Sequence, residues 1–212
     1  MKHLRFFLPL ILAIGWTGLN ALKPPVIDDT VYLALARQMA RAPLDPYGFE
    51  QFWYQAPQPA NHIMAPPVLP YWLSLGMRLF GENIPLLKLW LFPFAMLFVF
   101  SVRALLRAFA PRLESPLLLL SVVSPAILPA FNFMLDIPAV ALSLAALATF
   151  FQAVNGQLRL RLLLAIGAGL LAGLAAQTKY SGLLAAPLLL ADRKSTRLNS
   201  SHIQKSRMPS SA

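Results

Sequence analysis

Along the chain, charge-free apolar runs alternate with short polar or proline-rich stretches, at lengths that suit membrane-crossing helices. Residues 6–22, "FFLPLILAIGWTGLNAL", carry no charge and follow Met1-Lys2-His3-Leu4-Arg5. A cleaved signal peptide has a similar layout, but no clean small-x-small cleavage site is present and further apolar runs follow. An uncleaved first helix is expected, with Lys2 and Arg5 on the cytoplasmic side and residue 23 onward on the far side.

Residues 23–84 form an extracytoplasmic loop rich in proline and aromatic residues, too broken by proline to span. Within it Val31, Leu35 and Met39 recur every fourth residue while Arg37 and Arg41 share another face. That pattern predicts a short amphipathic helix along the membrane surface. A second short helix is expected within "PPVLPYWLSLGMRLFG", re-entrant or lying on the surface, a tilted span being the alternative. Residues 85–106, 116–135, 137–154 and 162–178 are further expected spans, and 181–191 starts another. Arg103, Arg107 and Arg112 mark one cytoplasmic end and Arg159 and Arg161 the next, in agreement with Lys2 and Arg5. The small residues of "GAGLLAGLAA" allow close helix contact.

Composition agrees with this reading: 58% of the 212 residues are hydrophobic and the mean hydropathy is +0.61. Without cysteine there is neither a disulfide framework nor a thiolate metal site. The net charge of +10 does not imply nucleic acid, because Lys and Arg sit between apolar runs rather than on one basic, aromatic-studded face. Residues 192–212 break the pattern, being basic and serine-rich. As biology they would form a lipid-binding or disordered tail. They also resemble a translated short-read sequencing adapter, in frame from Asp192 to His202 and again from Ser206 to Ala212. They read as an artefactual tail, and the natural gene is expected to continue past Ala191.

The expected topology puts Asp28, Asp29 and Asp136 on one side of the membrane, with Lys179 near the same surface. An ionisable group at mid-bilayer costs about 2.5–3.5 kcal/mol, so groups at span ends are tolerated if they reach water or each other. Bland roles compete with functional ones. Asp28 or Asp29 can cap the helix that follows, Asp136 can cap the next span ahead of Pro138, and Lys179 can snorkel to headgroups. Capping uses one acid of the pair and leaves the other unexplained. His3 and His62 are isolated and lack ligand spacing, and neither a phosphate-cradling glycine loop nor a Ser/His/Asp arrangement is identifiable.

Four stretches in order, "DDTVYLALARQM", "APPVLPYWLSLGMRLFGEN", "NFMLDIPAVALSLAALATFF" and "GLLAGLAAQTKYSGLLAAPLLL", resemble the N-terminal half of GT-C glycosyltransferases. The likeness is to the lipid A aminoarabinose transferase and protein O-mannosyltransferase group and covers nearly all of residues 1–191. It implies an all-α, polytopic membrane helical bundle of the GT-C type, with short amphipathic helices in its long outer loop. It also implies transfer of a sugar from a polyprenyl-phosphate donor to a lipid or protein acceptor at the extracytoplasmic face of a bacterial inner membrane.

By that resemblance Asp28 and Asp29 fill the acidic pair, one of them the catalytic base, and Tyr32 takes the aromatic place after it. Asp136 falls on an outer-end aspartate and Thr178-Lys179 on a Thr-Lys-Gly signature, with Tyr180 where glycine is usual. Many relatives have Lys or His before the proline that opens the aromatic helix; here Ala65 stands there, so either nearby His62 is expected to hold the lipid phosphate, or Lys179 with basic residues further along the natural protein. No cofactor is implied, and a divalent cation has no support in the sequence. A secondary transporter and a non-catalytic assembly subunit are the alternatives; span-end charges and one long outer loop favour the enzyme.

Overall fold

The computed structural model describes residues 2–53, 55–63, 65–155 and 158–184 of the chain. The molecule is mostly helical. Helix α1 (Lys2–Ala21) covers the first apolar run. Helix α2 (Ile27–Arg41) is the expected amphipathic helix, burying Val31, Leu35 and Met39. A two-stranded antiparallel hairpin follows, β1 (Glu50–Trp53) with β2 (Ala56–Pro59), and then a 3-10 turn at Ala60–Ile63. This hairpin has no counterpart in the sequence reading, since its proline-bearing strands lack a clear two-residue alternation.

Helix α3 (Val68–Phe80) is the expected second short helix and packs antiparallel to α2. Three hydrogen bonds register the pair, from Tyr71 to the Pro43 carbonyl, from Arg78 to the Ala40 carbonyl and from Arg37 to Glu82. A beta carbon on Gly76 would lie 2.7 Å from Cδ1 of Trp90, so glycine here lets α3 approach its neighbour closely. Trp90 stacks on Trp72 with ring centroids 4.8 Å apart, and each indole N–H donates to the other residue's carbonyl, at 2.9 and 3.0 Å.

The expected span 85–106 is helical from Ile84 to Phe109, but in two pieces, α4 (Ile84–Leu89) and α5 (Phe92–Phe109). Pro93, in the first turn of α5, lacks an amide donor and ends the continuous hydrogen-bond ladder. At its far end α5 is tied to the start of α6 (Glu114–Val123): Glu114 accepts from Arg103 at 2.5 Å and from Arg107 at 3.2 Å.

The expectation of one helix across 116–135 is corrected. Helix α6 stops at Val123, and residues 124–135 run in turns and bends. Ser124 takes extended backbone before Pro125, as a residue preceding proline prefers, and Pro129 removes a further donor. At 1.5 Å per residue this helix is about 15 Å long, half the thickness of a hydrocarbon core. Helices α7 (Asp136–Asn155) and α8 (Leu158–Ala176) fall on the next two expected apolar runs. Beyond them a 3-10 segment (Tyr180–Leu184) folds back on α8; the rest of the expected run 181–191 and the tail 192–212 lie outside the described residues.

Two helical stretches, Ile84–Phe109 and Asp136–Val154, are long and apolar enough to cross a membrane. Phe7–Ala21 and Leu160–Ala176 are shorter apolar helices. Helix α5 packs against both α1 and α7, and α7 against α8. The core between them is built around Trp16, Leu73, Phe98, Phe131, Phe133 and Ile137. Leu162, Leu163 and Leu170 of α8 remain about two-thirds exposed, an apolar surface suited to lipid or to a further helix.

Candidate functional site

One end of the bundle gathers the end of α1, the start of α2, helix α4, the turns at 124–135, the start of α7 and the end of α8. A buried non-helical segment needs donors from elsewhere for its carbonyl groups, and here lysine side chains supply them.

Lys88, on α4, is fully buried. Its ammonium donates to the carbonyls of Lys23 at 2.7 Å and Pro24 at 3.2 Å, and to Oδ1 of Asn132 at 2.9 Å. The Phe133 ring lies 5.6 Å away, in the range of a cation–π contact. Lys23 in turn donates to the carbonyls of Leu128, Pro129 and Phe131, at 3.1 to 3.3 Å. Two lysines thus stitch the turns at 124–135 to the link between α1 and α2. Burial lowers the Lys23 pKa, and the charge of Asp29 partly offsets this. Neither lysine was singled out from sequence. The available signal for Lys88 was its isolation within "IPLLKLWLFPF", one charge in an apolar run.

The two acids of the pair have different environments. Asp29 is fully buried, and its Oδ2 accepts the Val26 backbone amide at 2.9 Å, closing the first turn of α2. Its Oδ1 has no hydrogen-bond partner among the described residues, and neither has the side-chain amide of buried Asn20. Burial pushes the Asp29 carboxyl above the usual carboxylate range, against the pull of the Val26 amide, the Lys88 charge and the Phe133 amide, which lies near the carboxylate but outside hydrogen-bond geometry. Asp28 is exposed and lines an open depression of about 520 Å³ with Pro25, Val26 and Ile27. Exposed Val26 and Ile27 give this rim an apolar surround.

Asp136 opens α7 and forms an ion pair with Lys179, beyond the end of α8. Fully buried Thr178 anchors the same turn, donating its hydroxyl to the Leu174 carbonyl at 2.7 Å. Tyr32 joins the two halves. Burial raises its phenol pKa, and Asp28, Asp136 and Asp29 push it the same way, so the hydroxyl stays protonated as a donor. Asp28, Asp29, Tyr32, Asp136 and Lys179 therefore share one end of the bundle, although roughly a hundred residues separate the first of them from Asp136.

His62 stands apart. It is exposed on the 3-10 turn after β2, and no hydrogen bond or ion pair links it to the other five among the described residues. The described residues hold no group of three or more His, Cys, Asp or Glu that could bind a metal ion. No family model matches the chain, and no curated protein or solved structure does so either.

Proposed function

We propose that this chain is part of a membrane glycosyltransferase of the GT-C type, moving a sugar from a polyprenyl-phosphate donor to a lipid or protein acceptor at the extracytoplasmic face of a bacterial inner membrane. The observation that carries the reading is that the charges of Asp28, Asp29 and Asp136 all act on Tyr32, with Lys179 paired to Asp136. A donor whose tail stays in lipid presents its headgroup where helices end, and that is where these groups meet.

The difference between the paired acids supports distinct roles for them. Asp28, at the open depression with apolar rims, is the base that takes the proton from the acceptor hydroxyl. The acceptor oxygen then bonds to the anomeric carbon while the bond from that carbon to the phosphate oxygen breaks, inverting the configuration. The polyprenyl phosphate leaves as an anion, and Lys179 faces the charge that develops on it. Asp29 closes the first turn of α2 and holds Asp28 in place. Tyr32 donates a hydrogen bond to the headgroup.

The test is turnover of radiolabelled polyprenyl-phosphate mannose or aminoarabinose by the full-length protein in proteoliposomes. Asp28→Asn is expected to slow transfer by about 10²–10⁴-fold, the usual contribution of a positioned general base. Asp29→Asn is expected to weaken it less. Undiminished turnover in the Asp28→Asn variant overturns the assignment.

A further inference from the structure

A second charged cluster lies away from the carboxylates. The cleft between α2 and α3 is lined by Arg37, Ala40, Arg41, Met77, Arg78 and Glu82 and encloses about 170 Å³. Arg37 is at hydrogen-bond distance from Glu82, 2.8 Å, and Arg78 donates to the Ala40 carbonyl at 2.9 Å. Arg41 is exposed and makes no hydrogen bond among the described residues. Hydrogen bonding to Arg37 holds the Glu82 carboxyl below its ordinary range, so it is ionised at neutral pH. One carboxylate against three guanidinium groups leaves the cleft with two uncompensated positive charges.

An apolar strip adjoins the cleft. Leu75 and Leu79 are 50% and 66% exposed, and with Arg78 they occupy one face of α3, at i, i+3 and i+4. A soluble anion has no use for such a strip, whereas an amphiphile does. Eight residues of helix separate Arg37 from Asp29, about 12 Å along the axis, so the cleft is distinct from the carboxylate cluster.

We infer that the α2/α3 cleft binds the phosphate of an anionic membrane phospholipid, with Arg37, Arg41 and Arg78 as its ligands and an acyl chain along Leu75 and Leu79. Guanidinium forks suit phosphate oxygens, and the two leucines set the lipid's orientation. The inference is independent of sugar transfer, and either can fail alone.

Native mass spectrometry of the full-length protein, purified in maltoside detergent with equal amounts of phosphatidylglycerol and phosphatidylcholine, reads the retained lipid directly. The wild type is expected to retain phosphatidylglycerol preferentially. The preference should drop about fivefold for each arginine removed in Arg37→Gln, Arg41→Gln and Arg78→Gln. Glu82→Gln should raise it, because a competing carboxylate is lost. Since Arg41 and Glu82 are exposed, their two variants test the site even if the other two disturb folding. Inorganic phosphate alone at millimolar concentration should neither form an adduct nor displace the lipid. Equal retention of the two lipids, retention unchanged by Arg41→Gln, or displacement by inorganic phosphate overturns the inference.

Discussion

Asp136 and Lys179 form an ion pair that ties the start of α7 to the turn after α8. Both side chains are about 40% exposed, so water screens the attraction and the pair contributes no more than about 1 kcal/mol to stability. Lys179→Met should therefore lower Tm by no more than about 4 °C. If Lys179 meets the leaving phosphate, the same change should reduce kcat by about 10²-fold or more. Thermal unfolding and single-turnover sugar transfer on the same preparation separate the two effects. Equal and small losses in both would assign Lys179 a structural role only.

Asp29 should shape the pH dependence of stability. Its carboxyl titrates higher in the folded chain than in the unfolded one, so the native state holds the proton more tightly. Its contribution is fully present below the unfolded value of about 3.9 and is lost as pH rises through the folded value. Asp29→Asn removes the ionisation but keeps an oxygen that can accept the Val26 amide. In detergent the variant should show a flatter profile of Tm against pH above that point, with its gain over wild type largest at neutral pH. Parallel profiles would mean that this carboxyl does not titrate as described.

Removing the Lys88 ammonium leaves the Lys23 and Pro24 carbonyls and Oδ1 of Asn132 short of a donor. A buried acceptor without a partner costs about 1–3 kcal/mol, so Lys88→Met should destabilise by roughly 3 kcal/mol or more despite the apolar surroundings. Amide exchange should accelerate first in residues 128–133, which that lysine and Lys23 hold in place. A neutral or stabilising outcome would show that water replaces the ammonium there.

Gly76→Ala sets a methyl group 2.7 Å from the Trp90 ring. To accept it, α3 must retreat or the Trp72–Trp90 stack must shift, at a cost of about 1–3 kcal/mol. Both indole hydrogen bonds depend on that stack, so tryptophan fluorescence should change along with Tm. An unchanged spectrum would mean the helices absorb the methyl group by sliding.

Much of this molecule was legible in its pattern of apolar runs. Helices α1, α7 and α8 follow the charge-free stretches closely, α2 follows its fourfold apolar spacing and α3 its short apolar run, because burying such a face is the main local driving force. Asp28, Asp29, Asp136 and Lys179 were visible as rare charged groups at the ends of apolar runs, and Tyr32 only through the family resemblance. Hydropathy averages over a window and overlooks where the ladder breaks, so the turns from Ser124 to Leu135 passed for part of a span. Only the tertiary structure decided what those turns require. Their free carbonyls recruit Lys23 and Lys88 from distant segments, and the resulting packing buries Asp29 while leaving Asp28 at the surface. That division between adjacent, chemically identical side chains depends on which neighbours exclude water, and no local sequence pattern encodes it.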